Sequence, residues 1–375
     1  MEQTGKTVLQ LLLEQHPATP RSRAKQWIEN GRVRVGGAVV RRLNSLIEDP
    51  GAVVELLGRR EVALSFKSEW RIHSKLAVLY LDSSLAVVDK AAGLLAVPLP
   101  GTGMSAMSVL GGVMASGGGE RELPPSFKNL RPLPVHRLDQ YTTGVLCMAL
   151  NPTARAHLID QFSKHTATRE YIAYVDGAPK LERGTWRHLL RFDEERLRQQ
   201  VVGTGRDRAQ RAGTVEAITH YEVVEEFPVG DGRLVSKLRL KLETGRTHQI
   251  RVQAAKEGMP LLGDRLYHPQ YQSPYRSGRD DLRSRLGRGG KPAAEKVPLE
   301  RPIVECDRQA LHAETLELEH PEHPGKRMKW RAPLPEDLQK LEDQLHHMAR
   351  RARWQEAHNT KAPPAKQSQP RDKRH

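Results

Sequence analysis

The sequence predicts an α+β protein, a mixed or antiparallel sheet with helices interspersed, behind a small N-terminal unit of two helices and a β-ribbon. Three observations carry this. Leu238, Leu240 and Leu242 alternate with Arg239 and Lys241, the period of two expected of a strand with one buried face. VLYLDSSLAVVDK, residues 78–90, holds two apolar runs around an Asp82-Ser83-Ser84 turn. Val8, Leu9, Leu11, Leu12 and Leu13 fit one short helix, while Ala24, Trp27 and Ile28 share a face of a second.

The elements follow in order. Ser22 is expected to cap the second helix and Gly31 to end it. Val33 and Val35 then alternate with Arg32 and Arg34, Gly36-Gly37 turns the chain, Val39-Val40 returns it, and Val53, Val54 and Leu56 make a last strand. Residues 7–57 thus form one small domain, and the charged stretch 58–76 reads as a linker. The main domain spans 77–335. Within it, residues 100–130 are Gly-, Ser- and Pro-rich and read as a loop with one helix near 104–114. Strands are expected at 145–149, 171–175 and 214–224, and a helix at 152–164. Residues 270–300 form a basic insertion carrying Arg276, Arg279, Arg283, Arg285, Arg288 and Lys291. A basic C-terminal helix and a Pro-, Gln- and Lys-rich tail occupy 336–375.

Sixty Lys and Arg against 45 Asp and Glu leave a formal charge of +15, which favours a polyanionic partner. Aromatic residues make up 5%, so a basic groove is expected rather than an aromatic single-strand platform. The two cysteines, Cys147 and Cys306, belong to no CxxC pair, which argues against zinc ribbons and disulfide frameworks and fits a reducing cytoplasm. The first residues are short, charged and amphipathic, and no stretch approaches the roughly 20 apolar residues of a membrane span, so no membrane association is expected.

Three segments carry chemistry. HRLDQYTTG, residues 136–144, sets His136, Arg137 and Asp139 before Thr142, Thr143 and Gly144. A carboxylate fixed among a cation and hydroxyls can serve as nucleophile or base; an Asp that merely caps a turn is the plain alternative. ETGRTHQIRVQ, residues 243–253, brings Arg246, His248 and Arg251, suited to pairing with a carboxylate or a phosphate, or to a solvated strand end. In REYIAYVDG, residues 169–177, Tyr171 and Tyr174 are three apart and face opposite sides of a strand, one into the core and one free to meet a ligand.

Taken in order, these segments resemble the RluA family of RNA pseudouridine synthases. VLYLDSSLAVVDKAAGLLAVP resembles the family's opening strand pair, GMPLLGDRLYH (258–268) the stretch after its Arg motif, and LHAETLELEHP (311–321) its closing strand. The resemblance covers roughly residues 77–335. SRAKQWIENGRVRVGG resembles the small RNA-binding domain named after ribosomal protein S-four, in which Arg21, Arg23, Lys25, Arg32 and Arg34 would face RNA.

The resemblance implies an isomerase that converts uridine to pseudouridine without metal, nucleotide or other cofactor. It implies that Asp139 is the essential carboxylate, that Tyr171 packs on the target base and moves a proton, and that Arg251 salt-bridges Asp139. Ile250 would line the base pocket, Arg137 would fill the gap left by the flipped base, and Arg246, His136 and Thr143 would contact substrate. Gln253 stands where the family usually has His. The expected substrate is large-subunit rRNA, with tRNA, or a non-catalytic ribosome-assembly role, as alternatives. The enzyme is expected to act as a monomer.

Overall fold

The computed structural model describes residues 5–359 except 18, 30–31, 48, 50, 57–63, 100, 102, 119–121, 197, 205–212 and 272–302. The basic insertion from residue 272 onward, the tail after 359 and Gly31 therefore lie outside the described residues.

The N-terminal unit begins with β1 (Lys6–Thr7) and α1 (Val8–Gln15), then α2 (Arg21–Glu29). Thr7 closes a capping box with Gln10, satisfying two backbone N–H groups that the first turn would leave open. Ser22 does not cap α2. The helix already starts at Arg21, because the N–H of Ala24 reaches back to the Pro20 carbonyl at 3.0 Å. The ribbon comprises β2 (Val33–Val35), β3 (Ala38–Val40) and β5 (Val54–Leu56), while β4 (Leu46–Ile47) pairs with β1. Gly36 and Gly37 turn β2 into β3 with φ of +56° and +80°, a pair of angles that residues with a Cβ rarely adopt. Val8, Leu11, Leu12, Ala24, Ile28 and Val33 close over one another as this unit's own core.

The main domain is one sheet. Its strands are β6 (Leu64–His73), β7 (Leu76–Leu81), β8 (Leu85–Lys90), β9 (Leu133–Pro134), β10 (Thr143–Ala149), β11 (Thr168–Asp176), β12 (Arg183–Asp193), β13 (Arg198–Thr204), β14 (Val215–Gly230), β15 (Arg233–Leu242), β16 (Leu311–Glu319) and β17 (Arg327–Arg331). The order is β13-β12-β14-β15-β11-β16-β10-β8-β7-β6, with β17 on β16 and β9 on β10. Among the described residues the pairings are antiparallel except β10 with β16, so the sheet is mixed, as the sequence predicts.

Residues 64–73, expected as linker, are instead the edge strand β6 on β7. The segment LSFKSEWRIH alternates apolar and polar residues, but its charge masks the period; among its described side chains Trp70 is buried in the core and Ile72 packs against it. The hairpin β12–β13 was also not anticipated.

Helices cover both faces. α3 (Ala106–Ala115) and α5 (Gln249–Lys256) pack with Val88, Tyr171 and Leu240 on one face, while α4 (Pro152–Ser163) and α6 (Glu336–Asn359) pack on the other, α4 against Val87 and Val145, α6 against Ile172 and Tyr174. The alternation of neighbours 87/88 and 171/172 between the two faces is the strand pleat expressed as packing.

The parallel junction needs Gly144. Its φ is +110°, and an added Cβ would stand 2.1 Å from the Ala313 carbonyl oxygen of β16. Gly144→Ala is therefore expected to cost about 3 kcal/mol or more, through strain and overpacking together. A denaturant titration reading a loss below about 1 kcal/mol would show that the junction can relax.

Candidate active site

Asp139 lies in the turn between β9 and β10, where the N–H of Thr142 bonds the Asp139 carbonyl at 3.1 Å. Two buried cations hold this turn from opposite sides. Lys90, fully buried at the end of β8, donates to the carbonyls of Ala91, Leu94 and Gln140 at 3.1, 3.0 and 3.0 Å. Burial pushes its pKa down to about 7 and the nearby Asp139 charge opposes that; three carbonyl acceptors match the three N–H donors of an ammonium. On the other side Arg308 donates to the Tyr141 carbonyl at 3.1 Å while its Nε and Nη2 grip Asp337 at the start of α6, at 2.6 and 3.0 Å. Gly93 completes the clamp, its N–H meeting the Gln140 carbonyl at 2.9 Å.

Arg251 comes from the first turn of α5. Gln249 anchors that turn, its amide donating to the Ile218 carbonyl at 3.0 Å and the Thr219 hydroxyl at 2.9 Å while its oxygen accepts from the Arg246 N–H at 2.9 Å. Gln253, one turn on, bridges β12 and β14 through the Trp186 and Ala217 carbonyls. This deeply buried polar column sets the helix, and with it Arg251, against the sheet.

The Arg251 guanidinium then does two things. Its Nε and Nη2 fork onto Asp264 at 2.7 and 2.9 Å, and its Nη1 donates to Asp139 Oδ2 at 3.1 Å. Burial acts to raise the Asp264 pKa, but the hydrogen bonds and charge of Arg251, with the N–H groups of Leu266 and Tyr267, override it and hold the carboxyl below its ordinary range. Arg251 itself is stacked over the Tyr267 ring, 5.3 Å from its centroid.

Around this pair lies a cleft of about 510 Å³. Tyr171, Ile250 and Leu138 form its apolar wall, and Arg137 and Arg246 stand exposed at it. Among the described residues the Tyr171 hydroxyl has no protein hydrogen-bond partner, and burial pushes its pKa up, so it stays protonated. Tyr174 points the other way, its hydroxyl donating to Glu342 of α6 at 3.0 Å.

His248, from the ETGRTHQIRVQ segment, sits in the left-handed region at φ +54°, with Nδ1 3.1 Å from the Tyr267 hydroxyl and Nε2 3.9 Å from Asp139 Oδ2. Burial lowers its pKa against the opposing charge of Asp139, keeping the ring neutral near pH 7.

Two expected substrate contacts are placed differently. His136 borders the cleft, but its Nε2 accepts the Cys147 N–H at 2.9 Å and its ring lies on Phe162; burial, aided by the charge of Arg169, pushes its pKa down to about 3. It is a neutral ring that anchors a strand through one nitrogen while still lining the cleft. Thr143 does not reach the cleft: it is buried, with its hydroxyl 2.9 Å from His312 Nδ1. Arg246 spends its Nε on the Glu216 carbonyl and keeps its other donors outward. In the N-terminal unit Arg21, Arg23 and Lys25 are exposed along α2, Arg32 lies over the Trp27 ring, and Arg34 pairs with Glu55 at 3.5 Å.

A basic two-helix unit ahead of a carboxylate cleft in a mixed sheet fits an enzyme that acts on a polyanion, and comparison with known proteins states which. The family model described as RNA pseudouridylate synthase matches residues 84–256, and the S4 domain model matches residues 8–54. The chain belongs to the RNA pseudouridine synthase family and is an enzyme of that class. It is 33% identical over 336 residues, 89% of this chain and 90% of the relative, to ribosomal large subunit pseudouridine synthase D of Pseudomonas aeruginosa. It is 32% identical over 347 residues, 90% of each, to the protein of that name from Escherichia coli strain K12. The solved human structure of RNA pseudouridylate synthase domain containing 4 aligns at a TM-score of 0.46 and 21% identity, covering 74% of this chain and 92% of that one. No described helix is long and apolar enough to cross a membrane.

Because Asp264 is fully buried, removing its charge strands Arg251. Asp264→Asn is expected to cost about 3–5 kcal/mol, read by denaturant titration. In the intact protein its folded pKa lies below the unfolded value of about 3.9, so the stabilisation is complete above that pH and is lost as pH falls through the folded pKa. A stability curve flat from pH 5 to the acid limit would contradict the pairing.

Proposed function

We propose that this enzyme isomerises uridine in large-subunit ribosomal RNA, with Asp139 as the essential carboxylate. The observation that carries the reading is the bridge of Arg251 between Asp139 and Asp264 on the floor of a cleft walled by Tyr171 and Ile250. Four stretches of chain converge there, and the arrangement suits one flat, partly apolar ring beside one anion.

The reaction breaks the N1–C1′ bond, rotates the uracil and forms a C5–C1′ bond; C5 loses a proton and N1 gains one, so the change is redox-neutral. The target base leaves its stack to enter the cleft, at a cost of about a few kcal/mol. Arg137 at the mouth fills the place it vacates, and contacts from basic surface to the RNA backbone offset the cost. Asp139, aimed by the Arg251 bond to its Oδ2, presents its other oxygen to the ribose and stabilises the electron-poor C1′ as the base departs. Tyr171 offers its face to the freed uracil, and its hydroxyl, which stays protonated, relays the C5 proton only by giving up its own, which N1 receives, while Ile250 closes the apolar side. The chain works as a monomer, since one copy supplies the whole cleft.

The ribosomal preference draws on the names of the relatives and on the S4 domain. Pseudouridine mapping of cellular RNA with and without this protein is expected to lose a large-subunit site; loss confined to tRNA would replace the ribosomal reading. Asp139→Asn is expected to abolish conversion while RNA affinity stays within about threefold, since one hydrogen-bonding carboxyl oxygen is kept. Conversion surviving that change would remove Asp139 from the chemistry. Reversing Arg21, Arg23 and Lys25 to Glu is expected to weaken binding and to reduce the slope of log K against log salt by about 0.7–0.9 per lost phosphate contact. An unchanged slope would place the RNA elsewhere.

A further inference from the structure

Arg169 is the charged group in the cleft that the chemistry above leaves unused. It lines the cleft two residues before Tyr171 on β11 and is only 7% exposed. Among the described residues it has no carboxylate partner. Its Nη2 donates to the Glu243 carbonyl at 3.3 Å, its Cζ lies 5.4 Å from the centroid of the Phe162 ring, and its Nε is buried with no hydrogen-bond partner. Its charge acts to lower the pKa of two cleft groups, His136, which is held neutral, and Tyr171, where burial outweighs it.

Such a group is expensive. A guanidinium withdrawn from water without a counter-charge costs several kcal/mol, and the interior of a protein normally pairs it. The backbone here makes room for it. A Cβ on Gly245 would stand 2.4 Å from Arg169 Nη1, and the φ of Gly245 is not in the left-handed region, so this glycine serves space and not conformation. An uncompensated cation given its own berth in the wall of a substrate cleft calls for an anion that arrives with the substrate.

We propose that Arg169 binds a backbone phosphate of the RNA, the phosphodiester adjacent to the uridine seated over Tyr171. The inference rests on the RNA-modifying reading and adds the group that registers the target nucleotide. The planar fork matches two phosphate oxygens, and in the desolvated wall such a charge-assisted pair is far stronger than at the exposed Arg137 or Arg246. Arg169 is a binding residue, not a catalytic one. It sets which nucleotide stands over Asp139, so its loss acts on RNA affinity and KM more than on kcat.

The test uses the full chain and an oligoribonucleotide carrying the uridine found by mapping, with a neutral methylphosphonate at the linkage 5′ or 3′ of it. Conversion of the unmodified oligonucleotide by the wild-type enzyme checks the functional reading separately. Arg169→Met removes the charge and keeps the volume; Arg169→Lys keeps the charge and loses the fork. Arg169→Met is expected to hold or raise Tm, because a buried unpaired charge is gone, while weakening binding about tenfold or more. It should also lower the salt slope by about one phosphate contact, with Arg169→Lys intermediate. One of the two methylphosphonates should weaken the wild type and leave Arg169→Met unaffected. A lowered Tm with an unchanged salt slope, or methylphosphonate penalties equal in wild type and Arg169→Met at both linkages, would assign Arg169 to the scaffold and overturn the proposal.

Discussion

The guanidinium of Arg251, tied to Asp264 behind and to Asp139 in front, is the interaction on which the rest of the site depends. A lone arginine beside a lone carboxylate in a cleft would be free to swing, because each long side chain loses rotamer freedom when held. The fork on Asp264 removes that freedom before substrate arrives. The plane of the guanidinium is then fixed, and the direction of the Asp139 carboxylate follows from it. Asp264 is fully buried and makes the whole arrangement a triad of two anions and one cation, which the interior tolerates because nearly every lone pair and N–H is matched.

Fixing a side chain is of little use if its backbone moves. The Asp139 turn is gripped by Lys90 through the Gln140 carbonyl and by Arg308 through the Tyr141 carbonyl. Both cations are buried and both act on backbone oxygens, so the turn is positioned by charge-assisted bonds from β8 on one side and the segment before β16 on the other. Arg308 in turn is held by Asp337, which links the first turn of α6 to the Asp139 loop. The C-terminal helix therefore does more than cover Ile172 and Tyr174. The close crossing at Gly144, where β10 runs parallel to β16, brings these supports within reach of one another.

Much of this was legible before any coordinates. The strands at 145–149, 171–175 and 214–224 and the helix at 152–164 follow from periodicity; the structure lengthens the strands, the last of them running 215–230, and ends the helix at Ser163. The opposed faces of Tyr171 and Tyr174 follow from the strand period alone. What failed did so for definite reasons. β6 was hidden because charged residues fill its polar face. The resemblance implies Thr143 at the substrate, whereas the pleat turns it into the sheet against His312. His136 does line the cleft, but the sequence does not show that one of its nitrogens is committed to the Cys147 N–H. Asp264 lies within a motif that is visible in the chain, yet its partner is 13 residues away on a helix, and no local pattern shows a long-range ion pair.

By itself the sequence determined the fold class, the two-part organisation, the polyanion preference and the segments that carry chemistry, because periodicity, charge and motif order are local properties of the chain. The tertiary structure alone decided which charges pair. Arg251 meets both Asp139 and Asp264, Lys90 meets carbonyls, Arg308 meets carbonyls, the Thr143 hydroxyl and Asp337, and among the described residues Arg169 meets no carboxylate. Those outcomes depend on distances between segments that are remote in sequence, and on the low-dielectric burial that makes each pairing, or its absence, matter.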